Sequence, residues 1–139
     1  MICYLRIGLI AILVASSATT TCFAGTAPAP DFESVMPKEM VTRYAHARWS
    51  GPPSQTWADA YPREAQDHGV SGVAIIVCYI ALDGSLKRCD LLAERPRDYG
   101  FGKASVGMYT KSVHVDPATV DGGIHDGDFK VFTANWEIH

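Results

Sequence analysis

VAIIVCYIALDGSLKRCDLLAE, residues 73–94, decides how this chain folds. Val73 to Leu82 is rich in residues that suit a pleated, half-buried surface, namely Val73, Ile75, Ile76, Val77, Tyr79 and Ile80. Asp83-Gly84 suits a type I′ turn, and Ser85 to Glu94 is long enough to return along the first strand. A two-residue turn pairs Leu82 with Ser85, and the same register sets Cys78 opposite Cys89. That register predicts a hydrogen-bonded pair with Cα atoms about 5.5 Å apart, which lies in the disulfide range. The two cysteines therefore read first as a disulfide, with a pair of buried reduced thiols as the alternative.

Working outward toward the N terminus, Pro62 is able to open a helix, Arg63–His68 supplies its one or two turns, and Gly69 stops it. Upstream lie Trp57-Ala58-Asp59-Ala60 and the breaker cluster Trp49-Ser50-Gly51-Pro52-Pro53. Met40, Val41, Tyr44 and Ala47 recur at helical spacing after Pro37, predicting a short helix there. Toward the C terminus, Ala104, Met108 and Lys111-Ser112 set the register of a further helix that ends before Pro117. Gly107 and several β-branched residues weaken its propensity. Asp121-Gly122-Gly123 and Asp126-Gly127-Asp128 are turns. Phe129 to Ile138 then reads as a final strand, with Phe129, Val131 and Thr133 on one face and Phe132 and Trp136 placed less regularly. The order helix, strand, strand, helix, strand predicts an α+β fold: a two-layer sandwich of an antiparallel three-stranded sheet with two helices on one face.

The length of 139 residues leaves room for one domain. Residues 1–24 belong to something else. Arg6 is the only charge before Asp31, and Ile7 to Ala15 is an apolar run of signal-peptide length, about 7–15 residues. Cys22-Phe23-Ala24 then supplies small residues for a cut before Gly25. A membrane anchor wants about 20 mainly apolar residues. Residues 1–24 are thus expected to be an export signal, the alternative being an inner-membrane anchor facing the periplasm. Residues 25–36 read as an extended leader, 25–48 together as leader and linker, and 49–139 as the domain. Cys3 and Cys22 leave with the signal on that division, and an oxidising periplasm favours a bond between Cys78 and Cys89.

The formal net charge of −3 comes with no basic patch or run, so nucleic acid is not an expected partner. His46, His68, His114, His125 and His139 form no closely spaced pair and have no cysteine beside them. His125-Asp126-Gly127-Asp128 reads as a solvated turn, because a calcium loop needs a longer alternation of acids and a closing Glu. Neither a Gly-x-Ser-x-Gly elbow nor a Cys-x-x-Cys motif occurs. The Gly-x-Gly at 100–102 lacks the remaining glycine and the βαβ setting of a dinucleotide site. No enzyme activity, cofactor or metal site is expected.

Tyr61-Pro62, Glu64-Ala65, Gly69 to Val73, the first strand, Asp83-Gly84, the return strand, and Pro117 before Asp121-Gly122 follow one another in a telling order. That order resembles the TonB C-terminal domain family over about residues 49–138. One cysteine on each hairpin strand and Gly100-Phe101-Gly102 are similar to the small "energy transducer TonB" members of that family. The resemblance implies a periplasmic domain that binds a segment of an outer-membrane transporter, or of another envelope protein, by strand addition to its sheet edge. It places that edge on the last strand, with Phe129, Val131, Phe132 and Trp136 as candidate contacts, the alternative for Phe132 and Trp136 being that they cap the core. An open edge also admits a second copy, so a soluble periplasmic module or an edge-paired homodimer, without an energy-transducing role, is the alternative. Transducing members carry a membrane helix with a functional histidine and a long proline-rich spacer. Here the apolar segment has no histidine and only residues 25–48 precede the matching region, so transduction is not expected.

Overall fold

The hairpin forms the centre of the domain, and a third strand lies against its first strand. A computed structural model describes residues 36–138. The expected export signal, the leader up to residue 35, and His139 lie outside the described residues. In chain order the elements are α1 (Lys38–Arg43), β1 (Trp49–Ser50), α2 (Ser54–Ala60), α3 (Arg63–Asp67), β2 (Gly72–Ile80), β3 (Leu86–Arg95), α4 (Phe101–Ser112), β4 (His114–Val115) and β5 (Phe129–Trp136). The main sheet has the order β3-β2-β5 with both pairings antiparallel, and helices pack on it to give the expected α+β fold. A second, two-stranded ribbon joins β1 to β4.

The hairpin reaches the expected cysteine pairing by a different route. Ala81, not Leu82, pairs with Ser85: the Ala81 N–H donates to the Ser85 carbonyl at 2.8 Å. The loop is therefore Leu82-Asp83-Gly84, with Gly84 left-handed at φ +87°, as in a turn that ends in a glycine bulge. Asp83 Oδ1 accepts from both the Ser85 N–H and its hydroxyl, which favours this turn over the two-residue form. Pairing then runs one residue early at Ile80 with Leu86, until a bulge at Lys87 restores Tyr79 opposite Arg88 and Cys78 opposite Cys89. Because turn and bulge together shift the phase, the cysteines occupy the closely spaced, non-hydrogen-bonded kind of position. Their Cα atoms are 4.0 Å apart, where the two-residue turn predicted the wider pair. The disulfide Cys78–Cys89 is present.

Even-numbered residues of β2 point into the core. Ala74, Ile76 and Cys78 are fully buried, and Ile80 nearly so. The helix side covers them with Phe101, Ser105, Met108 and Tyr109 of α4. From β5, Ala134 and Trp136 join the same layer, and Phe132 stacks on Tyr109 with ring centroids 5.1 Å apart. Each large apolar side chain buried this way contributes about 1.5–3 kcal/mol. α2 was not expected: after Pro52-Pro53 it carries a single large apolar residue, Trp57, too little to show a helical period. Trp57 folds over Trp136 in a T-shaped contact at 4.9 Å, the kind of ring geometry worth about 0.5–1.5 kcal/mol beyond area burial.

The stretch before residue 49 packs on the domain through the expected helix, since Met36, Met40 and Tyr44 are buried in the core. A polar latch holds it there. The Arg43 guanidinium donates to both oxygens of Asp128 at 2.6 and 2.8 Å. The Tyr44 hydroxyl and the His125 N–H donate to Asp128 Oδ2 at 2.8 and 2.9 Å. Asp128 is only 3% exposed, so its charge depends on these four donors. Burial alone would raise its pKa, but the hydrogen bonds from Arg43, His125 and Tyr44 outweigh that and hold it below the ordinary range.

Two measurements check these features. Non-reducing mass spectrometry should find the Cys78–Cys89 bond intact, and the double variant Cys78→Ala/Cys89→Ala should lose about 3 kcal/mol, as the loop-entropy relation gives for a short loop. Two freely alkylatable thiols in native protein would refute the bond. Asp128→Asn should cost about 3 kcal/mol at neutral pH, because it takes away the carboxylate charge that pairs with Arg43, which keeps only its bond to the Gly123 carbonyl. A carboxylate with a depressed folded pKa stabilises above its unfolded pKa, about 3.9. That contribution is lost as pH falls through the lower folded value. Denaturant titrations of wild type and variant should therefore begin to converge as pH falls below about 4 and meet only below the folded value.

Candidate functional site

The phase of the ladder determines which main-chain groups of β5 are available. In an antiparallel sheet a residue turns its N–H and C=O toward one neighbour, and the next residue toward the other. Cys78 sits in the closely spaced kind of pair with β3, so its main-chain groups face β5. No register shift interrupts the β2–β5 ladder, which aligns Cys78 with Lys130, Ile76 with Phe132, Ala74 with Ala134 and Gly72 with Trp136. The Ile80 N–H donating to the Asp128 carbonyl at 2.8 Å extends the same phase. Even residues of β5 therefore bond to β2, and Phe129, Val131, Thr133 and Asn135 present theirs to the outer edge. Among the described residues, no hydrogen bond from another element reaches those four.

The two outer edges of the sheet differ in kind. β3 carries bulges at Lys87 and Leu92, and its charges include Lys87, Arg88, Asp90, Glu94 and Arg95. Arg88 pairs with Asp90 at 2.9 Å and Lys87 with Asp126 at 3.2 Å. Bulges and charges of this sort discourage a further strand. β5 has no bulge and no proline, and its one charge, Lys130, lies 5.7 Å from the ring centres of Trp49 and Phe132.

The four residues expected as contacts take distinct places. Phe129 and Val131 are half-buried on the sheet face away from the helices, aligned with Tyr79 and Val77. Phe132 lies on the helix side between Trp49 and Tyr109. Trp136 is 1% exposed, and its Nε1–H donates to the Ser105 hydroxyl at 2.9 Å. Ser105 in turn donates to the Phe101 carbonyl at 2.7 Å. Trp136 is therefore a core residue, and its indole shapes the surface more than it offers one. The exposed positions along the edge are Thr133 and Asn135, which an aromatic-centred reading of the sequence passes over.

Beside the C-terminal end of β5 lies a groove of about 620 Å³. Trp57 and Ala58 of α2 and Tyr61 form one wall, and Asn135 to Ile138 the other. Tyr61 is fixed by donating its hydroxyl to the Val70 carbonyl at 2.8 Å and by edge contacts with Phe101 and Trp136. Since α2 was not legible in the sequence, neither was this groove.

The chain matches no protein-family model and no curated protein. Among solved structures, it is similar to the C-terminal domain of Pseudomonas aeruginosa TonB, determined by solution NMR, with 22% identity and a TM-score of 0.48. The similarity covers 68% of this chain and 88% of that one.

Proposed function

We propose that this chain is a non-enzymatic protein-binding module of the cell envelope. It captures an extended segment of another envelope protein, such as an outer-membrane transporter, by adding it as a strand to β5. The observation that carries this reading is the edge itself, a bulge-free strand whose Phe129, Val131, Thr133 and Asn135 main-chain groups face outward while the opposite edge is blunted. Such an edge is a template for an incoming strand. The envelope location is supported by the apolar segment near the N terminus and by a disulfide of the kind kept in oxidising compartments. The motif order resembling TonB C-terminal domains points the same way. A second copy of the chain is the alternative occupant of the same edge, because the same free groups serve it equally.

Proline at two neighbouring positions separates the edge from the fold. Thr133→Pro removes an outward N–H and spares the ladder to β2, a position that edge strands tolerate. Phe132→Pro removes an N–H that bonds to β2, and should lower the melting temperature well below that of Thr133→Pro. Titration with peptides from periplasmic segments of outer-membrane transporters should show a loss of binding of up to about tenfold for Thr133→Pro, on the order of one net hydrogen bond. Its thermal unfolding should stay close to wild type. Undiminished binding would remove strand addition from the account. If the wild type sediments as a dimer and Thr133→Pro as a monomer, the second copy is the occupant.

A further inference from the structure

The outer edge of β5 runs directly into the groove beside α2, and this continuity bears on what kind of segment the edge accepts. Residues opposite one another on neighbouring strands point to the same face of a sheet. A residue of an added strand that lies opposite Trp136 therefore points to the helix side, into the space between β5 and α2. That space is the groove of about 620 Å³, walled by Trp57 and Tyr61 and floored toward the core by Trp136. Its size and aromatic walls suit one large apolar side chain, the form an anchor takes in peptide recognition. Among the groove-lining residues Glu137 alone carries a charge, and it makes no ion pair among the described residues. With no cation in the lining, the site disfavours an acidic segment and favours a basic one.

Resting on strand addition as proposed above, we infer that the captured segment carries an aromatic or large aliphatic side chain that fills the groove between Trp57 and Tyr61, with a Lys or Arg beside it for Glu137.

Fluorescence-anisotropy titration of the full chain with labelled eight-residue peptides of alternating Thr and Val tests this. One peptide carries a central Phe followed by Lys, a second replaces that Phe by Ala, and a third replaces that Lys by Glu. The Phe-Lys peptide should bind about tenfold more tightly than the Ala peptide and about threefold more tightly than the Glu peptide. Ala58 is exposed on α2 at the groove wall. Ala58→Phe should erase the preference for Phe over Ala while leaving the Ala peptide's affinity unchanged. Glu137→Gln should erase the preference for Lys over Glu. Equal binding of the Phe and Ala peptides to the wild type, with both weakened alike in Thr133→Pro, overturns the groove assignment and leaves strand addition standing. Binding undiminished by Thr133→Pro, or no binding by any peptide, overturns strand addition and this inference with it.

Discussion

The phase of hydrogen bonding along β2 governs what the domain offers its surroundings. Cys78 and Cys89 occupy a closely spaced position, so β2 turns its even-numbered main-chain groups toward β5, and the odd-numbered groups of β5 are left facing outward. In the opposite phase, the outward groups would belong to Lys130, Phe132, Ala134 and Trp136, next to side chains locked into the helix layer. The Leu82-Asp83-Gly84 turn and the Lys87 bulge set this phase together. The turn is held in place from outside, since the Val115 N–H donates to the Gly84 carbonyl at 2.9 Å. A side chain at position 84 would be strained at φ +87° and would also run into the Val115 carbonyl oxygen.

Much of this was legible in the sequence, and one part was legible for an incomplete reason. The β-rich run, the return strand and the cysteine pairing follow from residues 73–94. The register at the cysteines agrees with a two-residue turn only because a three-residue loop and a one-residue bulge offset each other. Neither device has a signature as clear as Asp-Gly, and the turn is held by a contact of Gly84 with β4 that local sequence does not show. The contact between Arg43 and Asp128 joins residues 85 positions apart, so the docking of 36–48 lay beyond local pattern. Between the edge contact that the resemblance implies for Trp136 and the core-capping alternative, the hydrogen bond to Ser105, a polar residue on a helix of weak propensity, decides for the core. Only the assembled fold turns that serine inward.

The Gly100-Phe101-Gly102 motif gains a physical meaning from packing. Phe101 is fully buried against the start of β2. At Gly102 a side chain would collide with Leu91 of β3, and its N–H donates to Glu94 Oε2 at 2.6 Å. The second glycine thus lets α4 approach β3 closely, and the Glu94 carboxylate meets an N-terminal amide of the helix, where a negative charge is favoured. This close approach seats Ser105 and Tyr109 over β5, where they hold Trp136 and Phe132. The same residues therefore fix the floor of the groove and the position of the edge.

How an added strand would gain affinity can be apportioned from what lies on each side of β5. Its hydrogen bonds to the edge exchange with water, and each nets about 0.5–1.5 kcal/mol, the same for almost any sequence. Side chains alternate between the two faces. On the face away from the helices, the incoming residues would extend a row already formed by Val77 with Val131 and by Tyr79 with Phe129, a ring pair 6.2 Å apart with Arg88 over the tyrosine. Cross-strand pairs of this kind contribute about 0.2–1 kcal/mol each and accept many apolar residues. On the helix side the space is bounded instead of open, with Trp49 and Phe132 in contact at one end and the groove beside Trp57 at the other. Discrimination between partners would therefore belong to the helix side, and mainly to the one position opposite Trp136. On the proposed strand addition, affinity would come from the edge as a whole, and α2 would decide which segment receives it.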